Sequence, residues 1–178
     1  MLAEGLFDIA KPQAVFGLHV IASLPTGVIG YRAGPMMAGS DRFALEVTGR
    51  QTHGSRPWGG IDPVIVAAQI MTGLQTIVSR QIDITEIPAV ISVGAIKGGI
   101  RYNIIPDSVE MIGTIRTFDK AMREDILQRM ERTAQGIAAA SGATAKLTIG
   151  ASPNPPVVNH LEPGSRSEER RVGKECRS

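Results

Sequence analysis

Cysteine is almost missing from this chain: its 178 residues hold one, Cys176, close to the C-terminal end. Disulfide staples and thiol chemistry are therefore excluded from the body of the protein. Aromatic residues make up only 4% of the chain. No apolar run approaches the roughly 18 residues a membrane helix needs, so no membrane partner is expected. A real charge surplus is missing too. The net charge of +2 comes from the last thirteen residues, RSEERRVGKECRS, which hold five basic and three acidic side chains; the rest carries 14 of each sign. A neutral body with few aromatics gives no support for nucleic-acid binding. The opening stretch MLAEGLFDIAKPQ is acidic and lacks the basic-then-apolar layout of an export signal. Cytoplasmic location is the default expectation, with that of any longer parent left open.

What is present suffices for a core, with 43% hydrophobic and 20% charged residues. The length suits one domain or one and a half. Met1 to Asp8 reads as a helix end, Ala14 to Val20 as a buried strand, and Val28 to Tyr31 as a short strand. A more complete unit starts at Asp41. Phe43, Leu45 and Val47 alternate with Ala44, Glu46 and Thr48, the pattern of a half-buried strand. Asp62 followed by Pro63 predicts a helix start. Ala67, Met71, Leu74 and Val78 then mark its buried face. Ala89 to Ile96 reads as a strand, and so does the alternation Val109, Met111, Gly113, Ile115. Asp119 is expected to cap a second helix with Met122, Ile126, Met130, Thr133 and Ile137 inward, stopped at Gly142. Ala145 to Ile149 supplies the last strand. The order β-α-β-β-α-β predicts an α+β, ferredoxin-like sheet with two helices on one face. The run SPNPPVV then leads away as an extended segment.

Four residues stand out for chemistry. His19 ends a predicted strand, where ligands and metals gather in α/β sheets. His53 sits in GRQTHGSRPWGGIDP, a loop of four glycines and two prolines. Asn103 lies in RYNIIPD, and Arg116 ends a strand in GTIRTFD. Spacing alone leaves ordinary alternatives open for each. His19 also suits a hydrogen-bonded core residue, and His53 a surface loop residue. Asn103 also suits a turn before Pro106, and Arg116 an exposed ion-pair partner.

In order, FGLHV, PTGVIGYRAGPMMAGSDRF, GRQTHGSRP, IDPVIVAA, LQTIVSR and GGIRYNIIPDSVEMIGTIRTFD resemble the M20 metallopeptidase family. The nearest branch is similar to the amidohydrolases of N-acyl amino acids, hippurate and auxin conjugates. The resemblance runs from Met1 to about His160. It implies a catalytic α/β domain with two divalent metals, zinc, manganese or cobalt, and an inserted ferredoxin-like lid that dimerises. It makes His19 a metal ligand, His53 a catalytic and substrate-binding residue that reaches into the partner subunit's site, and Asn103 and Arg116 substrate contacts. Trp58 stands where the branch often has a second histidine, which bears on acyl specificity.

The implied organisation is residues 1–37 from the catalytic domain, 38–150 as the lid, and 151–165 as a linker back to the catalytic domain. Residues 166–178 resemble the translation of a common sequencing adapter, which implies a natural sequence interrupted near Glu162. The family's other metal ligands and its glutamate pair have no counterpart here. One ligand cannot hold a catalytic metal. The expectation is thus a homodimerising fragment of a metal-dependent amidohydrolase whose intact parent hydrolyses the amide bond of N-acyl amino acids; the fragment is expected to be inactive by itself, with metal not stably held. The alternative is a stand-alone ferredoxin-like dimerisation module without catalysis.

Overall fold

The computed structural model describes residues 5, 9, 17–151 and 154–159. Residues 166–178 and His160 lie outside them, as does nearly all of the Met1 to Asp8 helix expectation. The chain divides into two units, Met1–Tyr31 with Glu162–Ser178, and Arg32–Leu161.

The strands of the second unit are β1 (Gly34–Met37), β2 (Gly39–Thr48), β3 (Thr52–His53), β4 (Ala89–Gly98), β5 (Ile104–Ile105), β6 (Ser108–Thr117), β7 (Thr144–Ile149) and β8 (Val157–Asn159). Its α-helices are α1 (Pro63–Thr76) and α2 (Lys120–Ala140). The main sheet has the order β4-β6-β2-β7, all neighbours antiparallel. That is the ferredoxin-like topology the sequence pattern predicts. β2 and β6 run in unbroken register from Gly39 opposite Thr117 to Thr48 opposite Ser108. Alternation puts Asp41, Phe43, Leu45 and Val47 beneath the helices, with Arg42, Glu46 and Thr48 on the open face.

The core lies between sheet and helices, around Phe43, Leu45, Ile70, Leu74, Met111, Ile115, Ile126 and Met130, all fully buried. Both helices start where a carboxylate can take their free amides. Asp62 Oδ1 accepts from the Val64 and Ile65 amides at 2.8 and 3.3 Å. Asp119 Oδ1 accepts from the Met122 amide at 2.7 Å. α2 stops at Gly142, which holds φ +73° as a left-handed cap.

Two expectations need correction. The inward face of α1 is Val66, Ala67, Ile70 and Leu74, continued by Ile77, while Met71 is on the exposed side. This helix is apolar nearly all round, so its periodicity underdetermines its orientation. In the first unit, residues 17–20 and Val28–Tyr31 are in no strand, and 17–20 are exposed. Short apolar runs form strands only when a neighbour accepts their backbone hydrogen bonds.

Two small ribbons lie beside the main sheet. β1 pairs antiparallel with β8, and the Asn159 amide side chain donates to the Arg32 carbonyl at 2.7 Å. The chain therefore enters and leaves the four-stranded sheet side by side. β3 pairs with β5, which joins the two loops described next. No helix among the described residues is long and apolar enough to cross a membrane.

Candidate functional site

The loop from Gly49 to Ile61 is pinned at its root. The Arg50 and Ile61 amides each donate to the other residue's carbonyl, at 2.9 and 3.0 Å. The Gly49 amide donates to the Asp107 carbonyl at 2.8 Å, which ties the root to the start of β6. The two legs approach so closely that a Cβ on Gly49 would lie 2.2 Å from the Ile61 carbonyl oxygen. A Cβ on Gly60 would lie 2.4 Å from that of Arg50. Glycine is required there for space. Pro57–Gly59 adds one 3-10 turn beyond the histidine.

His53 stands on this frame and is exposed. It pairs with Ile104, and the next amide, Gly54, donates to the Asn103 carbonyl at 2.8 Å. His53 and Asn103 are thus brought together by backbone pairing, across fifty residues of sequence. The Arg56 amide donates to the His53 carbonyl at 2.8 Å, closing a tight turn over Gly54 and Ser55. The imidazole Nδ1 faces Ser55, with Oγ at 2.7 Å and the backbone amide at 3.2 Å.

Sequence reasoning missed what surrounds Asn103. Ile100 and Tyr102 are almost wholly exposed, and the groove they line with Val64, Gly99 and Arg101 has a volume of about 400 Å³. A double glycine followed by large apolar side chains was the available signal. The groove is open to solvent, and neither His53 nor Asn103 lines it.

Arg116 is elsewhere. It sits on the open face of β6, opposite Ser40 and Val90. Its guanidinium donates to Thr114 Oγ1 and, at 3.2 Å, to the Ile115 carbonyl. Ser108, beside the loop root, lies at the other end of the strand. Eight residues of antiparallel strand make that separation about 27 Å. His19 belongs to the first unit, is exposed, and has Nδ1 2.7 Å from the Val20 carbonyl oxygen. No three His, Cys, Asp or Glu side chains gather as a metal-holding group among the described residues. The described residues do not by themselves fit a two-metal centre.

Two titrations are shifted elsewhere in the fold. Hydrogen bonding to Asp41 raises the Arg123 guanidinium above its ordinary value, and the Thr85 hydroxyl lowers the Asp83 carboxyl.

Residues 37–141 match the family model described as the peptidase dimerisation domain. The chain is 44% identical over 134 residues to the N-acetylcysteine deacetylase of Bacillus subtilis, covering 75% of this chain and 35% of that protein. It is 41% identical over 162 residues to an N-acyl-L-amino acid amidohydrolase of Geobacillus stearothermophilus, covering 91% and 43%. A dinuclear metal-binding peptidase of the M20 family from Bacillus subtilis superposes with a TM-score of 0.60 at 37% identity, over 80% of this chain and 33% of that one. The chain therefore spans less than half the length of these relatives.

Proposed function

The chain belongs to the M20 peptidase dimerisation-domain family, and we propose that it serves as the dimerising lid of a metal-dependent amidohydrolase that cleaves N-acyl amino acids. The observation that carries this reading is the split of the polar residues. His53 and Asn103 share one end of the sheet, and Arg116 occupies the other end of β6. One small substrate cannot touch both groups of a single protomer. It can touch His53 and Asn103 of one copy and Arg116 of a second.

Two features support a second copy as partner. β4 lies at the edge of the sheet, with its outer hydrogen-bonding groups unused by the main ladder. α1 presents Val64, Ile65 and Met71 to solvent, and Val64 borders the groove at the end of β4. An open edge beside exposed apolar side chains is a ready pairing surface across a two-fold axis. The pairing of β1 with β8 supports insertion into a larger body, because it brings entry and exit together.

In this reading His53 and the Asn103 amide donate to the substrate carbonyl oxygen as it gains charge. Arg116 grips the amino-acid carboxylate with its two-pronged donor set. The two metals, zinc, manganese or cobalt, would be held by His19 together with ligands of the intact parent, and the chain alone is inactive. His19 is the one metal ligand we assign to it, and 1–37, 38–150 and 151–165 act as catalytic-domain segment, lid and return linker.

The test places this segment in a full-length relative in place of the matched stretch. His53→Ala should lower turnover by about 100- to 1,000-fold, the cost of one lost oxyanion donor, while metal content stays constant. Unchanged turnover, or loss of metal, would overturn the assigned role. Sedimentation of residues 38–150 should show dimers, and a strict monomer at high concentration would count against the partner.

A further inference from the structure

We propose that Ser55 is a positioning residue that fixes the tautomer of His53, so that Nε2 presents a proton outward. The backbone amide of Ser55 lies 3.2 Å from Nδ1 and can only donate. A proton on Nδ1 would point at that N–H hydrogen. Nδ1 therefore offers its lone pair, and the Ser55 hydroxyl, at 2.7 Å, donates into the same region. A neutral imidazole carries one N–H, so with Nδ1 bare the proton is on Nε2. The ring is exposed, and Nε2 faces away from the turn that holds Nδ1.

The backbone amide of Ser55 is held in this place by its turn. The turn closed by the Arg56 amide on the His53 carbonyl sets its backbone, and the Gly54 amide on the Asn103 carbonyl holds that turn to β5. A Cβ on Gly54 would meet the Asn103 carbonyl oxygen at 3.1 Å, so the two chains are in close contact there. The outcome is a histidine that acts as a hydrogen-bond donor to a carbonyl oxygen, with no lone pair offered outward to take a proton. Its use in catalysis rests on the function proposed above; the tautomer does not.

The test is long-range proton–nitrogen NMR of the imidazoles in the 15N-labelled 178-residue chain at about pH 9, where imidazole is neutral. His53→Ala assigns the signal. The unmodified chain should show the Nε2–H form almost alone. Ser55→Ala removes the hydroxyl and leaves the amide, and should raise the Nδ1–H share several-fold; Ser55→Thr should restore the original ratio. Dominant Nδ1–H in the unmodified chain would overturn the proposal, and so would a ratio untouched by Ser55→Ala. In a full-length enzyme bearing the segment, Ser55→Ala should lower kcat about tenfold with KM little changed, part of the cost of one oxyanion donor. A tautomer shift with unchanged kcat would leave the positioning intact and strike the catalytic role given to His53.

Discussion

Among the described residues, the most enclosed charged side chain is far from the histidine loop. Asp41 is 4% exposed and receives two hydrogen bonds of 2.7 Å from Arg123, through Nε and Nη2. This two-pronged pair ties the start of β2 to the first turns of α2. Removing the carboxylate leaves a partly buried guanidinium without its partner, which costs about 1–3 kcal/mol. Asp41→Asn should therefore lower the urea midpoint without changing the slope of the transition. The pH dependence of that cost follows from Arg123. Hydrogen bonding to Asp41 raises its folded value above the ordinary guanidinium range, so its contribution is fully present at all lower pH and is lost only as pH climbs through the folded value. The measured cost should be equal at about pH 6 and about pH 9. At this scale the sequence was only partly legible. Asp41 could be read as the start of a strand, but its partner is 82 residues away and no local pattern links them. The same holds for Asn103 beside His53. Each sits in a loop that reads as a turn, and their meeting depends on the two-residue ladder of β3 and β5, which is too short to leave a periodic trace.

Elements were more legible where a start signal and a period agreed. Both caps, at Asp62 and Asp119, lie where the sequence places them, because an N-cap is a local arrangement of one side chain and its next three amides. The strands β2 and β6 were readable because one face is buried and the other open, which writes a two-residue period into the sequence. The face of α1 was not, since Val64, Ile65 and Met71 are as apolar as the residues that point inward. Those exposed residues argue for a covering surface, and this is information the helix pattern hid. The histidine loop allows a test at the level of the element. Gly60 has an extended backbone that any residue adopts, so its requirement is space alone: an added Cβ would meet the Arg50 carbonyl and the Thr52 side chain, the latter at 2.7 Å. Gly60→Ala should pry the legs apart at a cost of about 1–3 kcal/mol, the range for overpacking. The check is amide exchange, which should quicken at Arg50 and Ile61 while the helices keep their protection. Equal protection throughout would mean the loop adapts freely and does not hold His53 rigidly.

At the scale of the whole molecule, the decisive question is whether one protomer or two build a working site. The four-stranded sheet separates His53 and Asn103 from Arg116 by most of the length of β6. A two-fold axis along an edge of the sheet can bring one copy's loop end toward the other copy's opposite end, because antiparallel pairing reverses strand direction across the axis. This geometry predicts complementation between two crippled chains. In a full-length enzyme bearing the segment, His53→Ala alone and Arg116→Ala alone should each be nearly inactive. Mixed in equal amounts and allowed to exchange subunits, about half of the dimers would contain one of each, by random pairing in a two-fold assembly. In each mixed dimer one site receives both defects and the other receives none. Activity should then recover to about a quarter of that of the unmodified enzyme, since one site of two is restored in half of the dimers. If His53 and Arg116 of a single protomer served the same site, every site in the mixture would carry a defect and nothing would be regained. The recovery depends on neither the metal nor the acyl group, so it isolates the architecture from the chemistry. A flat mixing curve, with subunit exchange confirmed by mass, would refute the shared site.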